Sequence, residues 1–562
     1  MALVAGAVAF SGTGAATLNG DELATISAAS RSLAGLWELA RNIDGHFLPY
    51  YLFMHFWIKA GTAELWLRLP SAVAIGVAAW FLADLGRRLH SVRAGVIGAA
   101  LFAILPSVSY YGAFARSYAF AAAAVVFSFW ALHRAVERPS GRRWVAYGVA
   151  VALVCCTHLF AVLALPAHLA LVRRGVLVRM AVALGIGGLP AVVLGLVGFG
   201  ERHAISWIPQ RGPEVWLKFP KMAAGSTGAG VLLFAVALAG AVVLWKSTAG
   251  RDRVRDDGSR SAGARQAWGQ GDGSAGPDQV WGLGDGSAGA EQVWGRGDGS
   301  AGPDRVRGLD DGSAGAERVR GEGDGFAGLD PGAGEGGRWA VAGVGWLVLP
   351  PLLLLAVSQL VTPAYVDRYL FVTAPALALL AGVAVAGVPR FPVPAGVALV
   401  LVGGLLAASE HVTVREENGR FENIPWALRV VKAEPEDAIV YGQSQLRAGF
   451  DYYADAAMPD DVLKTGDVPD ADGFGYPERS EVAAALKGRD RVWVVWRGTK
   501  QAGLQGDSVP RVAQVRQAGF EPVSVKHSAD LPGLTVALFE RKPERKPART
   551  PTRTSARTSA RK

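Results

Sequence analysis

Apolar residues along this chain fall in long, nearly charge-free runs rather than in the short periodic stretches that line a water-soluble core. Residues 69–83, 94–108, 119–132, 181–199, 231–245, 341–357, 370–388 and 393–408 are such runs. Several reach or approach the ~20 residues that a bilayer-spanning helix needs. With their polar flanks they predict about eleven transmembrane helices, near 2–18, 66–86, 92–111, 117–134, 144–157, 159–172, 180–199, 229–246, 339–358, 369–388 and 393–409. The first is the weakest, rich in Gly, Ala, Ser and Thr, and it lacks the charged segment that precedes a secretory core.

Charge between the runs sets the orientation. Arg87, Arg88 and Arg93, then Arg134, Arg138, Arg142 and Arg143, then Arg173, Arg174 and Arg179, and finally Lys246, Arg251, Arg253 and Arg255 mark alternate connections. By the positive-inside rule these four are cytoplasmic. An odd number of spans with the amino terminus inside then places the carboxyl-terminal region outside.

Two segments have neither apolar runs nor a core pattern. Residues 247–338 contain a repeat of period 13 that opens Asp-Gly-Ser at Asp272, Asp285, Asp298 and Asp311 and Asp-Gly-Phe at Asp324. That composition predicts a flexible, disordered cytoplasmic linker, with a metal- or partner-binding array as the alternative. The Ser/Thr/Pro/Arg segment 541–562 holds nine Lys or Arg against Glu544 alone, so +8 of the net +9 belongs to a disordered tail. No nucleic-acid partner is expected from such a distribution. Between them, after residue 410, β-rich segments 437–441, 491–496, 521–526 and 534–540 alternate with helix-like stretches 443–453, 481–486 and 509–518. This alternation predicts a small α/β module.

Composition agrees with a membrane protein: 51% of residues are hydrophobic, 19% are charged, and mean hydropathy is +0.25. A soluble protein with one ordinary core is excluded. Cys155 and Cys156 are the two cysteines and lie side by side in an apolar run, which excludes a disulfide framework and a CxxC metal site. Phosphate-loop, HExxH and nucleophile-elbow motifs are lacking, so ATP coupling, metalloprotease and serine hydrolase chemistries have no support.

The first outer loop, 19–65, is where ionisable groups concentrate beside the membrane. It opens with Asp21 and Glu22, runs through an amphipathic stretch in which Leu33, Leu36, Trp37 and Ala40 share one face, and reaches Asp44 and His46 before an aromatic segment Phe47–Trp57. Carboxylates at both ends of a loop folded over a membrane edge suit an acid–base group beside a lipid-borne substrate. The competing reading of Asp21 is an N-cap of an interfacial helix. His158 and His168 lie on apolar runs and read as hydrogen-bonded packing residues; Glu201, Arg202, His203 and Trp207 form a further candidate contact for acceptor or phosphate.

Several short motifs, in order, carry a resemblance. Gly20-Asp21-Glu22, Asp44-x-His46 with Pro49-Tyr50-Tyr51-Leu52, His55-x-Trp57, Arg68-Leu69-Pro70-Ser71, Gly86-Arg87-Arg88-Leu89, Ala115-Arg116-x-Tyr118-Ala119 and the later Arg368-Tyr369-Leu370 with Pro375 are similar to those of bacterial GT-C-type membrane glycosyltransferases. These are relatives of the protein O-mannosyltransferases and of the aminoarabinose transferase of lipid A. The resemblance implies a GT-C-like all-α polytopic fold and a sugar donor carried on polyprenyl phosphate, mannose-like, with its sugar outside. It implies that Asp21 is the general base with Glu22 beside it, that Asp44 orients donor or acceptor, and that Arg116 and Arg368 meet the lipid phosphate. His46, Tyr118 and Tyr369 join them as substrate-binding candidates. Relatives commonly carry Glu two residues before the arginine, where this chain has Phe114, which leaves Arg116 without an expected acid partner. Many also carry Pro-Pro where this chain has Phe47-Leu48-Pro49, a change in the bend of the loop.

The expected chain is therefore a membrane catalytic module (1–246), the linker (247–338), further membrane helices (339–409), an extracytoplasmic α/β domain (410–540) and the tail (541–562). It is expected in a bacterial plasma membrane, acting on a glycan, lipid or protein acceptor. The sequence assigns no cofactor with certainty; a divalent cation bridging Asp21 or Asp44 to the phosphate stays open, without a cage of ligands to hold it. The rivals are a lipid-sugar transporter or flippase, which wants ionisable groups at mid-membrane depth, and a non-catalytic cell-wall scaffold. The orientation is testable: a cysteine placed in 272–325 should resist an impermeant thiol reagent in intact cells while one near Ser444 should react, and reversed labelling would overturn an outward-facing site.

Overall fold

The computed structural model describes residues 1–201, 205, 208–246, 335–417, 422–455, 457–498, 509–528 and 533–542. The 13-residue repeats, the basic tail beyond 542 and the candidates Arg202, His203 and Trp207 lie outside the described residues.

Helices α1 (Ala2–Phe10), α2 (Gly20–Ala29), α3 (Leu33–Asn42), α4 (Leu48–Trp57), α5 (Glu64–Leu89), α6 (Val92–Ala103), α7 (Pro106–Gly112), α8 (Tyr118–Glu137) and α9 (Gly141–Thr157) come first. A 3₁₀ stretch, Leu159–Leu171, leads to α10 (Leu177–Gly200), α11 (Val215–Ala224) and α12 (Thr227–Lys246). Beyond the linker lie α13 (Glu335–Leu360), α14 (Ala374–Ala386) and α15 (Pro392–Leu406). Every one of the eleven predicted apolar segments is helical over part of its length. Among the described residues, six helices nevertheless have the length and composition of a full span, or seven if α6 and α7, bent by 67° at the Ile104–Leu105 break, count as one.

The prediction for the first segment fails at its second half: the helix stops at Phe10, and turns and a bend carry the chain from Ser11 to Ala16. Gly12 takes φ 79°, a left-handed value that glycine adopts without a Cβ clash.

Small residues let these helices approach closely. α14 is buried along nearly its whole length and crosses α6 at Gly98 and Gly382, where a Cβ on Gly382 would lie 2.6 Å from the Gly98 nitrogen. Lipid tails are as apolar as side chains, so such backbone contacts, through dispersion, hold membrane helices together.

The first long loop is itself folded. Asn19 caps α2 by accepting from the Glu22 amide, and Glu22 returns the bond to the Asn19 amide, a complete capping box. α2, α3 and α4 bury Leu23, Ala28, Leu36, Leu39, Phe47, Tyr50, Tyr51 and Met54 together, while Leu33 and Trp37, expected on the same apolar face as Leu36, stay exposed at its edge. Trp57 and Trp66 stack at 4.3 Å, and each indole N–H donates to the other's carbonyl, which closes the loop onto α5.

The carboxyl-terminal residues form a five-stranded sheet in the order β2-β1-β3-β5-β4, with β1 (Ala438–Tyr441), β2 (Asp460–Asp461), β3 (Arg491–Gly498), β4 (Phe520–His527) and β5 (Gly533–Arg541). β1 pairs parallel with β2 and β3; β3 and β5, and β5 and β4, pair antiparallel. The four long strands fall on the β-rich segments that the sequence marks. The two-residue β2 has no counterpart among them, since so short a strand has no alternation to read.

Gly382→Leu should lower the melting temperature in detergent by the equivalent of about 1–3 kcal/mol or more, because α6 backbone must give way. Gly404→Leu, whose Cβ meets nothing within 4 Å, should leave it unchanged.

Candidate active site

Three segments meet at the mouth of the first loop: the start of α2, the Ala113–Ser117 connection before α8, and the 3₁₀ turn Asp367–Thr373 that opens α14. The deepest element among them is an ion pair. Arg68 and Glu22 are both fully buried, with Nε to Oε1 and Nη2 to Oε2 each at 2.9 Å. The remaining Arg68 donors go to the carbonyls of Thr13, Ala16 and Thr17, and Glu22 Oε1 also accepts the Ala115 amide at 2.9 Å. Glu22 therefore ties α2 to α5 and to the Arg116 connection. It has no exposed oxygen to offer a substrate, which corrects its expected place beside the base.

Asp21 sits one residue earlier and about 100° around the helix, so it faces outward while Glu22 faces in. It is not the cap, which is Asn19. Its carboxylate lies 3.8 Å from the Arg368 guanidinium, and both side chains keep about 30% of their surface exposed (32% and 27%).

A second pair lies deeper. Arg116, almost wholly buried, reaches Asp44 at 3.4 Å and also donates to the Tyr51 hydroxyl and toward Thr25 Oγ1. Tyr51 in turn donates to Asp44 at 2.7 Å. Burial pushes the Tyr51 phenol well above its usual range, so it stays protonated as that donor. The guanidinium also lies over the Phe47 ring at 4.2 Å. Arg116 thus has the acid partner that Phe114 denies it locally, supplied from 72 residues away. Asp44 adopts φ 57°, the left-handed region that Asp tolerates better than most residues, and this turn aims its carboxylate back at Arg116.

Tyr118 and Tyr369, both buried, lie close to both pairs; each interacts electrostatically with Asp21, Arg116 and Arg368. Asp21, Asp44, Arg116, Tyr118, Arg368 and Tyr369 are thus brought together. His46 joins neither pair: its Nδ1 is 3.6 Å from Glu201, whose carboxylate also accepts the Gly45 amide at 2.9 and 3.1 Å. Glu201 therefore fixes the loop at Gly45 rather than opening toward the pairs. Among the described residues no three His, Cys, Asp or Glu side chains gather as metal ligands.

The carboxyl-terminal module supplies contacts that sequence reasoning missed. Glu422 and Arg497 pair at 2.9 Å directly behind Gly20, where a Cβ would meet Arg497 Nη2 at 2.5 Å. Burial and the nearby Asp21 push the Glu422 carboxyl up, against the pull of Arg497. Tyr453 accepts the Leu18 amide and donates to Glu64; Arg31 donates to the carbonyls of Asp470 and Gly473. Nothing in a linear reading pairs residues so far apart.

Residues 47–199 match the family described as dolichyl-phosphate-mannose-protein mannosyltransferase. The match takes in Arg116 and Tyr118, while Asp21, Asp44 and Arg368 lie outside it. Two solved structures are similar: ArnT from Cupriavidus metallidurans in the apo state, with 12% identity, 95% of this chain and 96% of that chain covered and a TM-score of 0.50, and the same protein bound to undecaprenyl phosphate, with 13% identity, the same coverage and a TM-score of 0.47. At such identity the apo likeness shows the fold. No curated protein sequence matches the chain. The GT-C-type recognition drawn from the loop motifs is borne out by the family match and by this fold.

Removing one partner of a buried pair strands the other charge, at a cost of about 3–5 kcal/mol. Glu22→Gln should therefore lower thermal stability by that order, read as a melting shift in detergent; a shift no larger than that of Asp21→Asn would count against the assignment.

Proposed function

We propose that the chain transfers a mannose-like sugar from a polyprenyl-phosphate carrier to a glycan, lipid or protein acceptor on the outer side of a bacterial plasma membrane. The coarser statement, a membrane glycosyltransferase that uses a polyprenyl-phosphate sugar, is supported by the mannosyltransferase family match and the ArnT-like fold. The observation that carries the reading is the accessible Asp21–Arg368 pair at 3.8 Å, backed by the buried Arg116–Asp44–Tyr51 group.

A sugar phosphodiester carries its own leaving group, so two tasks remain. An acceptor hydroxyl must lose its proton, and negative charge must be stabilised on the departing phosphate. Asp21 takes the proton. The acceptor oxygen bonds to the anomeric carbon as the bond from that carbon to the phosphate oxygen breaks, and its electron pair leaves with the phosphate. Displacement from the opposite face inverts the anomeric centre. Arg368, being the more exposed guanidinium, meets the phosphate; once it does, its hold on Asp21 loosens and the carboxylate becomes the stronger base. Asp44, fixed by Tyr51 and Arg116, orients the donor, and Tyr118 and Tyr369 flank the sugar. Glu22 serves the scaffold alone.

Asp21→Asn should cut transfer by about 10²- to 10⁴-fold while donor binding persists. Arg368→Ala should mainly raise the donor concentration required, by loss of a charge-assisted contact worth roughly 1.5–3 kcal/mol. Asp44→Asn should fall between, affecting both. These are read with purified protein and a polyprenyl-phosphate mannose donor. Near-normal turnover by Asp21→Asn would remove it as base, and full activity in all three variants would remove the glycosyltransferase reading itself.

A further inference from the structure

His158 and His168 look alike in the sequence, each a histidine on an apolar run. In the fold they differ in one respect. His168 is fully buried and satisfied, with Nδ1 2.8 Å from the Tyr147 hydroxyl and Nε2 3.4 Å from Ser128 Oγ. His158 is 2% exposed, and its Nδ1 accepts the Phe160 amide at 3.2 Å as the cap of the 3₁₀ stretch. Its Nε2 has no hydrogen-bond partner among the described residues.

An imidazole whose Nδ1 is an acceptor carries its proton on Nε2. A buried N–H without a partner is costly and rare in folded proteins. This one is placed where a ligand would lie. The ring centroid is 4.8 Å from that of Tyr369, 5.3 Å from Tyr118 and 5.6 Å from Phe47, the aromatic residues beside the two acid–arginine pairs. The basic side chains that face it are His46, Arg368 and Arg116. Burial first, and then the basic side chains around it, disfavour the imidazolium, and the group that completes the surroundings is an anion that accepts a hydrogen bond from the Nε2–H.

We infer that His158 is a catalytic residue whose Nε2–H donates to the phosphate of the lipid carrier, beside Arg116 and Arg368. The inference rests on the reading under Proposed function and extends it. No proton is transferred: the N–H stays on the ring while the electron pair of the broken sugar–phosphate bond moves onto the phosphate oxygen. That oxygen gains charge as the diester becomes a monoester, so the contact strengthens during departure, the condition for lowering the barrier rather than merely tightening binding.

The test uses the full chain in nanodiscs, with undecaprenyl monophosphate as probe and undecaprenol, which lacks the phosphate, as control. His158→Phe keeps the aromatic packing and removes both nitrogens. His158→Asn keeps an acceptor for the Phe160 amide and removes the Nε2 donor; His158→Gln carries a donor at nearly the Nε2 position. The unaltered protein should prefer the monophosphate over the alcohol. Phe and Asn should weaken monophosphate affinity about ten- to a hundred-fold, Gln should recover most of it, and undecaprenol affinity should not move. A packing role predicts no difference between Asn and Gln. If Asn and Gln bind the monophosphate equally, or the folded Phe variant binds like the unaltered protein, this inference falls and the glycosyltransferase reading stands. If the unaltered protein does not distinguish monophosphate from alcohol, both fall.

Discussion

The geometry of the site depends on the burial of Arg68 against Glu22. A guanidinium and a carboxylate taken out of water must recover their hydration from the protein, and here they do so completely: two bonds to each other, three backbone carbonyls for the arginine, and the Ala115 and Asn19 amides for the glutamate. Such satisfaction fixes more than two side chains. It holds the turn from Thr13 to Thr17, the first turn of α2, the start of α5 and the connection that carries Arg116 in one arrangement. With Glu22 pinned inward, the helix pitch determines where Asp21 points.

The same first turn is gripped from its other side. Gly20 leaves space that the Arg497 guanidinium fills, Glu422 accepts from that guanidinium, and Tyr453 binds both Leu18 and Glu64. Ala448, Tyr452, Tyr453 and Phe474 extend the apolar core of α2 to α4. A loop at a membrane surface would otherwise hold its carboxylates loosely. Held between a buried pair and a folded module, the first turn of α2 keeps Asp21 facing Arg368, the preorganisation that the base proposed for it requires.

The parts of this arrangement legible in the sequence were those with a local signature. Strands β1, β3, β4 and β5 showed in their β-branched and aromatic content, and Asp21, Asp44, Arg116 and Arg368 showed as motifs in order. What stayed hidden was set by contacts distant along the chain. Hydropathy could not tell a full span from the short segments Leu159–Leu171 and Pro392–Leu406, nor show that the run after Met1 ends at Phe10, because composition records apolarity and not where a helix must stop. The capping box is legible in the spacing of Asn19 and Glu22, three residues apart, but that Glu22 turns inward is set by Arg68, 46 residues away. The acid partner of Arg116 has no such local trace, because Asp44 lies 72 residues away and only the fold brings the two together.

The two acid–arginine pairs differ in surroundings more than in chemistry, and the roles proposed for them rest on that difference. Arg116 and Asp44 are braced by Tyr51, Thr25 and the Phe47 ring, so neither can move without breaking several contacts at once. Asp21 and Arg368 meet at 3.8 Å, longer than a good ion-pair hydrogen bond, and both retain solvent contact. An exposed pair of that length is worth little to stability, which makes it easy for an incoming phosphate to displace. The proposed reaction accordingly gives the rigid pair the positioning and the more accessible pair the base that is released when the substrate's charge arrives. The sequence writes both as Asp and Arg, and burial alone tells them apart.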